Sequence, residues 1–352
     1  VTKFPKFSAD SVLFTNTKYF QKPIYGHIEE ALSAKMEPDK YTFPKFRSYQ
    51  TDFQMKDLLP GVDYQGSFMM NGPRFITSDD KNPATMIFYR GGKKFITVTS
   101  TKFIITSSKL NSESASVKIF IDSDSICNDG VTMRYIVSDN KVTLINSSKR
   151  NYYSPYSDTY HNLDLYCESI VWDRNSDKLN FSMLGESGSQ SFSTFESNSY
   201  YSENKMRQIQ GIDEINPVIR INRYMKYRNG LTDFYIEELA QWMHLDLAQA
   251  KLMIHTLAGS GLVAYNENDG HIFVKDKLMD YVKAISKSKN HDYDAITLQS
   301  SAKGNNAELD LNSNDLYIHG IQKFVVSDSQ QVAIYPKKGD ITVKRNRDID
   351  FN

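Results

Sequence analysis

The side chains most able to do chemistry are few and dispersed. Seven histidines, His27, His161, His244, His255, His271, His291 and His319, stand singly, and none lies three or four residues from another. A metal site on a helix needs that spacing. Asp122-Ser123-Asp124 followed by Asn128-Asp129-Gly130 crowds oxygen ligands into nine residues, which makes Asp122, Asp124 and Asp129 a candidate calcium site. Calcium takes about six to eight oxygens, and the bidentate glutamate and flanking helices of an EF-hand are missing. The competing reading is a plain acidic turn between strands. Tyr152, Tyr153, Tyr156 and Tyr160 gather around Pro155 and His161. Tyrosine is apolar in body and polar at its tip, so this group suits a sugar or a protein partner; otherwise its rings cover the edge of a β structure. Asp158 and His161 lack a paired nucleophile or second carboxylate, so they support no catalytic assignment. No phosphate-cradling glycine loop, Gly-x-Ser-x-Gly elbow or His-Glu-x-x-His motif occurs. The reading names no catalytic residue and no cofactor.

Composition narrows the class. Lys plus Arg and Asp plus Glu number 42 each, so no bulk charge points to nucleic acid or an acidic membrane. At 352 residues the chain has room for two or three cores. Its 22 Tyr and 20 Phe, with Ser and Asn abundant outside the central helical stretch, favour strands joined by polar turns. No apolar run is long enough to span a membrane. Cys127 and Cys167 are too few for a zinc ribbon or a disulfide scaffold; free buried thiols and a single disulfide both stay open. The first residue is Val1 and the last stretch, Ile349-Asp350-Phe351-Asn352, reads as a strand. A fragment or processed chain is expected on that ground.

The element that positions everything else runs from Pro217 to Lys289. Asn216-Pro217 opens a helix with Ile221, Tyr224 and Met225 at helical spacing, and Asn229-Gly230 stops it. Thr232 or Asp233 caps a second, striped with Phe234, Ile236, Leu239, Ala240 and Met243. Asp246 caps a third, carrying Ala250, Met253, Ile254 and Leu257. Leu262–Tyr265 and His271–Val274 flank a turn-rich tip ending in Gly270, the pattern of a hairpin. Asp276 starts a last helix with Leu278, Met279, Tyr281, Val282 and Ile285. This order, carried by Ile236–Ala240, Leu245-Asp246, Ile254, Leu257 and Gly261-Leu262-Val263, resembles the winged-helix fold. In that fold the third helix would face DNA, here with Leu247, Ala248, Gln249, Lys251 and Leu252. Three of these are apolar, only Lys251 is charged, and the module holds ten Lys/Arg against eight Asp/Glu. That is poor chemistry for phosphates and bases. Leu247, Lys251 and Leu252 are read instead as a face for a protein partner, or as packing against neighbouring strands.

Around this module the pattern is β. Residues 1–50 read as an irregular lead-in with a short helix over Tyr25–Met36. Residues 51–205 form a β-rich domain with runs such as Ala84–Tyr89, a turn at Arg90-Gly91-Gly92, and Phe95–Thr99. The helical module spans 217–289, and 305–352 is a further β-rich segment. A weak repeat, Asp164-Leu165-Tyr166 to Leu179-Asn180-Phe181 and Asp315-Leu316-Tyr317 to Val332-Ala333-Ile334, reads twice as strand, strand, polar turn, strand. The expected class is α+β, mostly β: stacked strands, solenoid-like or sandwich, with the helical module inserted. Pro155–His161, Phe195-Glu196-Ser197 and Tyr335–Asp340 also resemble stretches of large envelope proteins of Bacteroidota-type bacteria. That likeness implies an extracytoplasmic (periplasmic, outer-membrane or cell-surface) structural or binding protein whose partners are other envelope proteins. Alternatives are a glycan-binding or polysaccharide-acting β-solenoid and a DNA-binding regulator.

Overall fold

The computed structural model describes residues 5–17, 19–20, 22–31, 42–78, 82–146, 154–184, 192–199, 201–211, 215–286, 296–327, 332–337 and 339–351. Among the described residues strands make up 51% and helices 18%, so sheets supply most of the core. The sheets are large and antiparallel and, among the described residues, do not close into a barrel. The chain divides into two compact units, Val1–Val117 with Thr132–Val142, and Lys118–Val131 with Thr143–Asn352.

In the first unit successive pairs of strands alternate between two ladders. One ladder runs Lys6–Phe14, Ile24–Ala31, Lys45–Ser48, Met69–Asn71, Arg74–Ser78 and Lys102–Ile105. The other runs Phe53–Leu59, Val62–Gly66, Ala84–Arg90 and Lys93–Ser100. The turn expected at Gly91-Gly92 is present, with both residues at positive φ, 56° and 76°, as a tight hairpin whose twist matches its strands requires. The expected helix over Tyr25–Met36 is not formed in the part described: Ile24–Ala31 is a strand. It is hydrogen-bonded on both sides, and pairing overrides a weak local preference. The lead-in is therefore part of the sheet. Phe46 is buried there, with the half-buried Phe14 stacked on it at 4.2 Å and Phe20 edge-on to the buried Phe68 at 4.6 Å between ring centres.

The second unit repeats the alternation. A first ladder joins the part of strand Asp124–Ile136 that belongs to this unit, through Ile126 and Cys127, to Tyr156–Asp158, then Leu163–Tyr166, Ser193–Ser197, Thr297–Ser300, Ile321–Ser327 and Val332–Ile334. A second joins Ser169–Asp173, Lys178–Ser182, Ala307–Asp310, Leu316–Ile318, Ile341–Val343 and Ile349–Phe351. The two copies of the weak repeat are both real strand triplets, with the ladders exchanged. The first begins in the first ladder and puts its hairpin in the second; the second copy does the reverse. Strands before and after the helical segment are direct neighbours, Glu196 facing Thr297 and Asn180 facing Glu308.

Between them lie helices α1 (Glu203–Gln210), α2 (Pro217–Tyr227), α3 (Ile236–Met243), α4 (Leu247–Gly259) and α5 (Asp276–Ser286), with a small sheet of Asp233–Tyr235, Val263–Asn266 and His271–Val274. Asn216 caps α2 by accepting from the Val218 N–H at 2.9 Å. Asp246 and Gln249 form a reciprocal capping box on α4. The expected cap on α3 differs: Tyr235 precedes it without a side-chain bond, because Asp233-Phe234-Tyr235 is drawn into the small sheet. Ile221, Leu239, Ile254, Leu257, Leu262, Ile272, Leu278 and Tyr281 form a fully buried core. No helix among the described residues is long and apolar enough to cross a membrane.

Candidate functional site

Strands Leu163–Tyr166 and Ser193–Ser197 pair so that Asp164 lies opposite Glu196. Side chains alternate across a strand, so Leu163, Leu165 and Phe195 share one face while Asp164, Tyr166 and Glu196 share the other. Like charges directly opposite one another destabilise a sheet. Here they are also buried, Asp164 at 1% and Glu196 at 3% exposure. The compensation comes from the helical segment. Lys277, in the first turn of α5, places Nζ 2.7 Å from Asp164 Oδ2 and 3.0 Å from Glu196 Oε2, itself only 2% exposed. Lys205 of α1 donates to Glu196 Oε1 at 2.5 Å. Lys275 stands 3.9 Å from Asp164 Oδ1. The Tyr166 hydroxyl donates to Glu196 Oε2 at 3.4 Å, and the Lys205 ammonium lies over its ring.

The electrostatics follow from this packing. Burial pushes the Glu196 carboxyl up, and the ammonium groups of Lys277 and Lys205 more than reverse it, so it sits below the usual carboxylate range. Burial pulls the Lys277 ammonium down, but Asp164 and Glu196 outweigh that and hold its proton more tightly than in water. Burial raises the Tyr166 phenol well above its ordinary value, and Glu196 adds to the effect. The turn after α4 completes the seat. Gly261 has φ of +74°, and a Cβ there would stand 2.7 Å from Asp164 Oδ2 and 3.3 Å from the Tyr166 hydroxyl. The helical segment is thus seated on the first ladder of this unit by Gly261 and Lys277, over a buried carboxylate pair. Carboxylates at such spacing can serve glycoside hydrolysis, but burial under α5 leaves no surface for a substrate.

The residues singled out by sequence fall elsewhere. Tyr156 and His161 are fully buried and Tyr160 is 9% exposed, so these three side chains pack inside the unit. Tyr152 and Tyr153 lie outside the described residues. His161 Nδ1 is 2.6 Å from Asp158 Oδ2 and Nε2 is 2.9 Å from the Asn314 carbonyl, a tie between turns far apart in sequence. The calcium candidates do not form a site. Asp122 accepts from Asn314 Nδ2 at 3.1 Å and Asp124 from Arg345 at 3.1 Å, and Asp129 lies several residues further along its strand, beyond common reach. Among the described residues no cluster of three or more His, Cys, Asp or Glu could hold a metal. Cys127 and Cys167 are free thiols. Leu247 is 40% and Leu252 58% exposed, so neither packs against the strands, and Lys251 is half-buried beside them. In the first unit a shallow hollow beside Arg47 and Tyr49 is lined by Thr51, Ser67 and Phe68.

Asp164, Glu196 and Lys277 escaped the sequence reading as a site. One signal was present. Lys277, Tyr281 and Ala284 share a helical face, and the last two belong to the buried side of α5; a lysine on an apolar stripe asks for a buried anion. Known protein families, curated proteins and solved structures offer no match to this chain.

Proposed function

We propose that the chain is a non-catalytic structural or binding component of an extracytoplasmic assembly, built as a stacked, solenoid-like β body carrying a winged-helix-like module. The observation that carries this reading is the asymmetry of the helical segment. Its seat on the sheet is polar, buried and specific, made by Lys277 and Gly261 against Asp164 and Glu196. Helix α4 spends none of its outer face on that seat: Leu247 and Leu252 stay exposed. Held apolar side chains on a rigid helix suit a protein partner. The setting outside the cytoplasm rests on composition and on the likeness of Pro155–His161, Phe195–Ser197 and Tyr335–Asp340 to envelope proteins. Burial of Tyr156, Tyr160 and His161 takes weight from the glycan reading, and the single lysine on the outer face of α4 takes weight from DNA.

The test is purification of the full protein from its native cells beside the variant Leu252→Glu, with cell fractionation of both. Leu252 is 58% exposed, so the substitution should change thermal stability by less than about 0.5 kcal/mol. The expected result is a defined set of envelope proteins that leaves with the variant. Identical sets for both forms, or recovery of the protein in the cytosol, would overturn the reading.

A further inference from the structure

We propose that Lys277 and Asp164 join through a self-formed amide bond, with Glu196 carrying protons between them. The activity is intramolecular condensation, and its substrates are the chain's own side chains. A lysine amine and a carboxylate do not condense in water, where both are charged, solvated and free to diffuse apart. Here three conditions differ. The amine is held: Nζ lies 2.7 Å from Asp164 Oδ2, one bond from the carboxyl carbon. Fixing two reactants in this way is worth effective concentrations of about 10⁵–10⁸ M. The site is dry: Lys277, Asp164 and Glu196 are each no more than 3% exposed, so water is kept from the reacting groups and burial itself works against both charges while their pairing works for them. A second carboxylate touches the same nitrogen, Glu196 Oε2 at 3.0 Å, the distance at which a general acid–base works.

The steps balance without a co-reactant. The resting pair is ionic. One proton moves from Nζ through Glu196 Oε2 to Asp164 Oδ2, leaving a neutral amine and a carboxylic acid. The nitrogen lone pair attacks Cγ, and a C–N bond forms. Charge then develops on Oδ1, the oxygen faced by the Lys275 ammonium at 3.9 Å, as an oxyanion asks. Glu196 takes a second proton from the nitrogen and returns it to Oδ2. The Cγ–Oδ2 bond breaks and one water leaves. Nothing is oxidised or reduced, and Glu196 ends as it began. Lys205 acts as a positioning residue: by holding Oε1 at 2.5 Å it leaves Oε2 turned to Lys277. The product would tie α5 covalently to strand Leu163–Tyr166, across 113 residues of chain.

Intact-mass spectrometry of the purified full chain, unfolded, tests this directly. The expected mass is one water below that of the sequence, with a branched peptide joining the Asp164 and Lys277 segments after digestion and no tryptic cleavage at Lys277. The wild type decides the matter even if variants fold poorly: full mass with cleavage at Lys277 would overturn the proposal. Lys277→Arg keeps a cation for the ion pairs and removes the amine, so it should have full mass; a water loss that persists there would also overturn it. Branching mapped to Glu196 would overturn the choice of Asp164. Glu196→Gln keeps both reacting groups, and complete water loss in that variant would overturn the proton-carrier role.

Discussion

Replacing Lys277 by Met removes the charge that offsets the repulsion between two buried carboxylates. Their oxygens lie 2.7 and 3.0 Å from one nitrogen, hence within about 6 Å of each other, where two unit charges repel by roughly 3 kcal/mol at an effective dielectric near 20. Orphaning one side of a buried ion pair costs about 3–5 kcal/mol by the same physics. Lys205 still faces Glu196, so the lower figure applies: about 3 kcal/mol. That figure belongs to the ionic pair, in which Lys277 carries its charge. Hydrogen exchange with peptide-level mass readout is the suitable assay, because the loss concerns seating of the helical segment and not every sheet at once. Exchange in α5 and in Leu163–Tyr166 should quicken by roughly two orders of magnitude, with the first unit unchanged. Protection in α5 within a factor of three of wild type would refute the reasoning.

Other expectations follow from the same packing. Gly261→Ala should lose about 1–2 kcal/mol from its left-handed backbone alone, plus the displacement of Asp164, read as a fall in Tm larger than Gly91→Ala, where nothing lies within 4 Å of a Cβ. Glu196 is held below the usual carboxylate range. A depressed carboxylate contributes stability above its unfolded value of about 4.3, and that contribution is lost as pH falls through the folded value. Acid titration followed by exchange in α5 should therefore show loosening below about pH 4 that Glu196→Gln no longer shows. Burial pushes the Cys167 thiol far up, so iodoacetamide should modify it only on unfolding, and labelling in the native state would refute its burial.

Much of this was legible in the sequence, and the failures are instructive. Helices α2, α4 and α5 and the hairpin after α4 were readable because caps at Asn216 and Asp246 and an apolar 3.6-residue period agree with one another. The strand run Ala84–Ser100 was readable because alternation and Gly91-Gly92 agree. Ile24–Ala31 was not, since a strand with bonds on both sides owes its state to partners far along the chain. The tyrosine group misled for a related reason: Tyr156 looks like a binding residue by type, and only strand pairing shows it facing inward. Asp164 and Glu196 were invisible as a pair because their register, 32 residues apart, is a property of the sheet.

The Ser197 N–H donates to the Ile296 carbonyl at 3.0 Å, so the chain leaves the sheet and returns to it at the same rung. To the ladder, the whole excursion between these residues is a closed loop with its two ends one strand spacing apart, about 4.8 Å. Lengthening such a loop is cheap, since closure grows only with the logarithm of its size. A short turn could therefore stand in its place without shifting the register of a single strand. In the same way the β body could accept a different cargo at that rung, provided the newcomer brings a cation for Asp164 and Glu196.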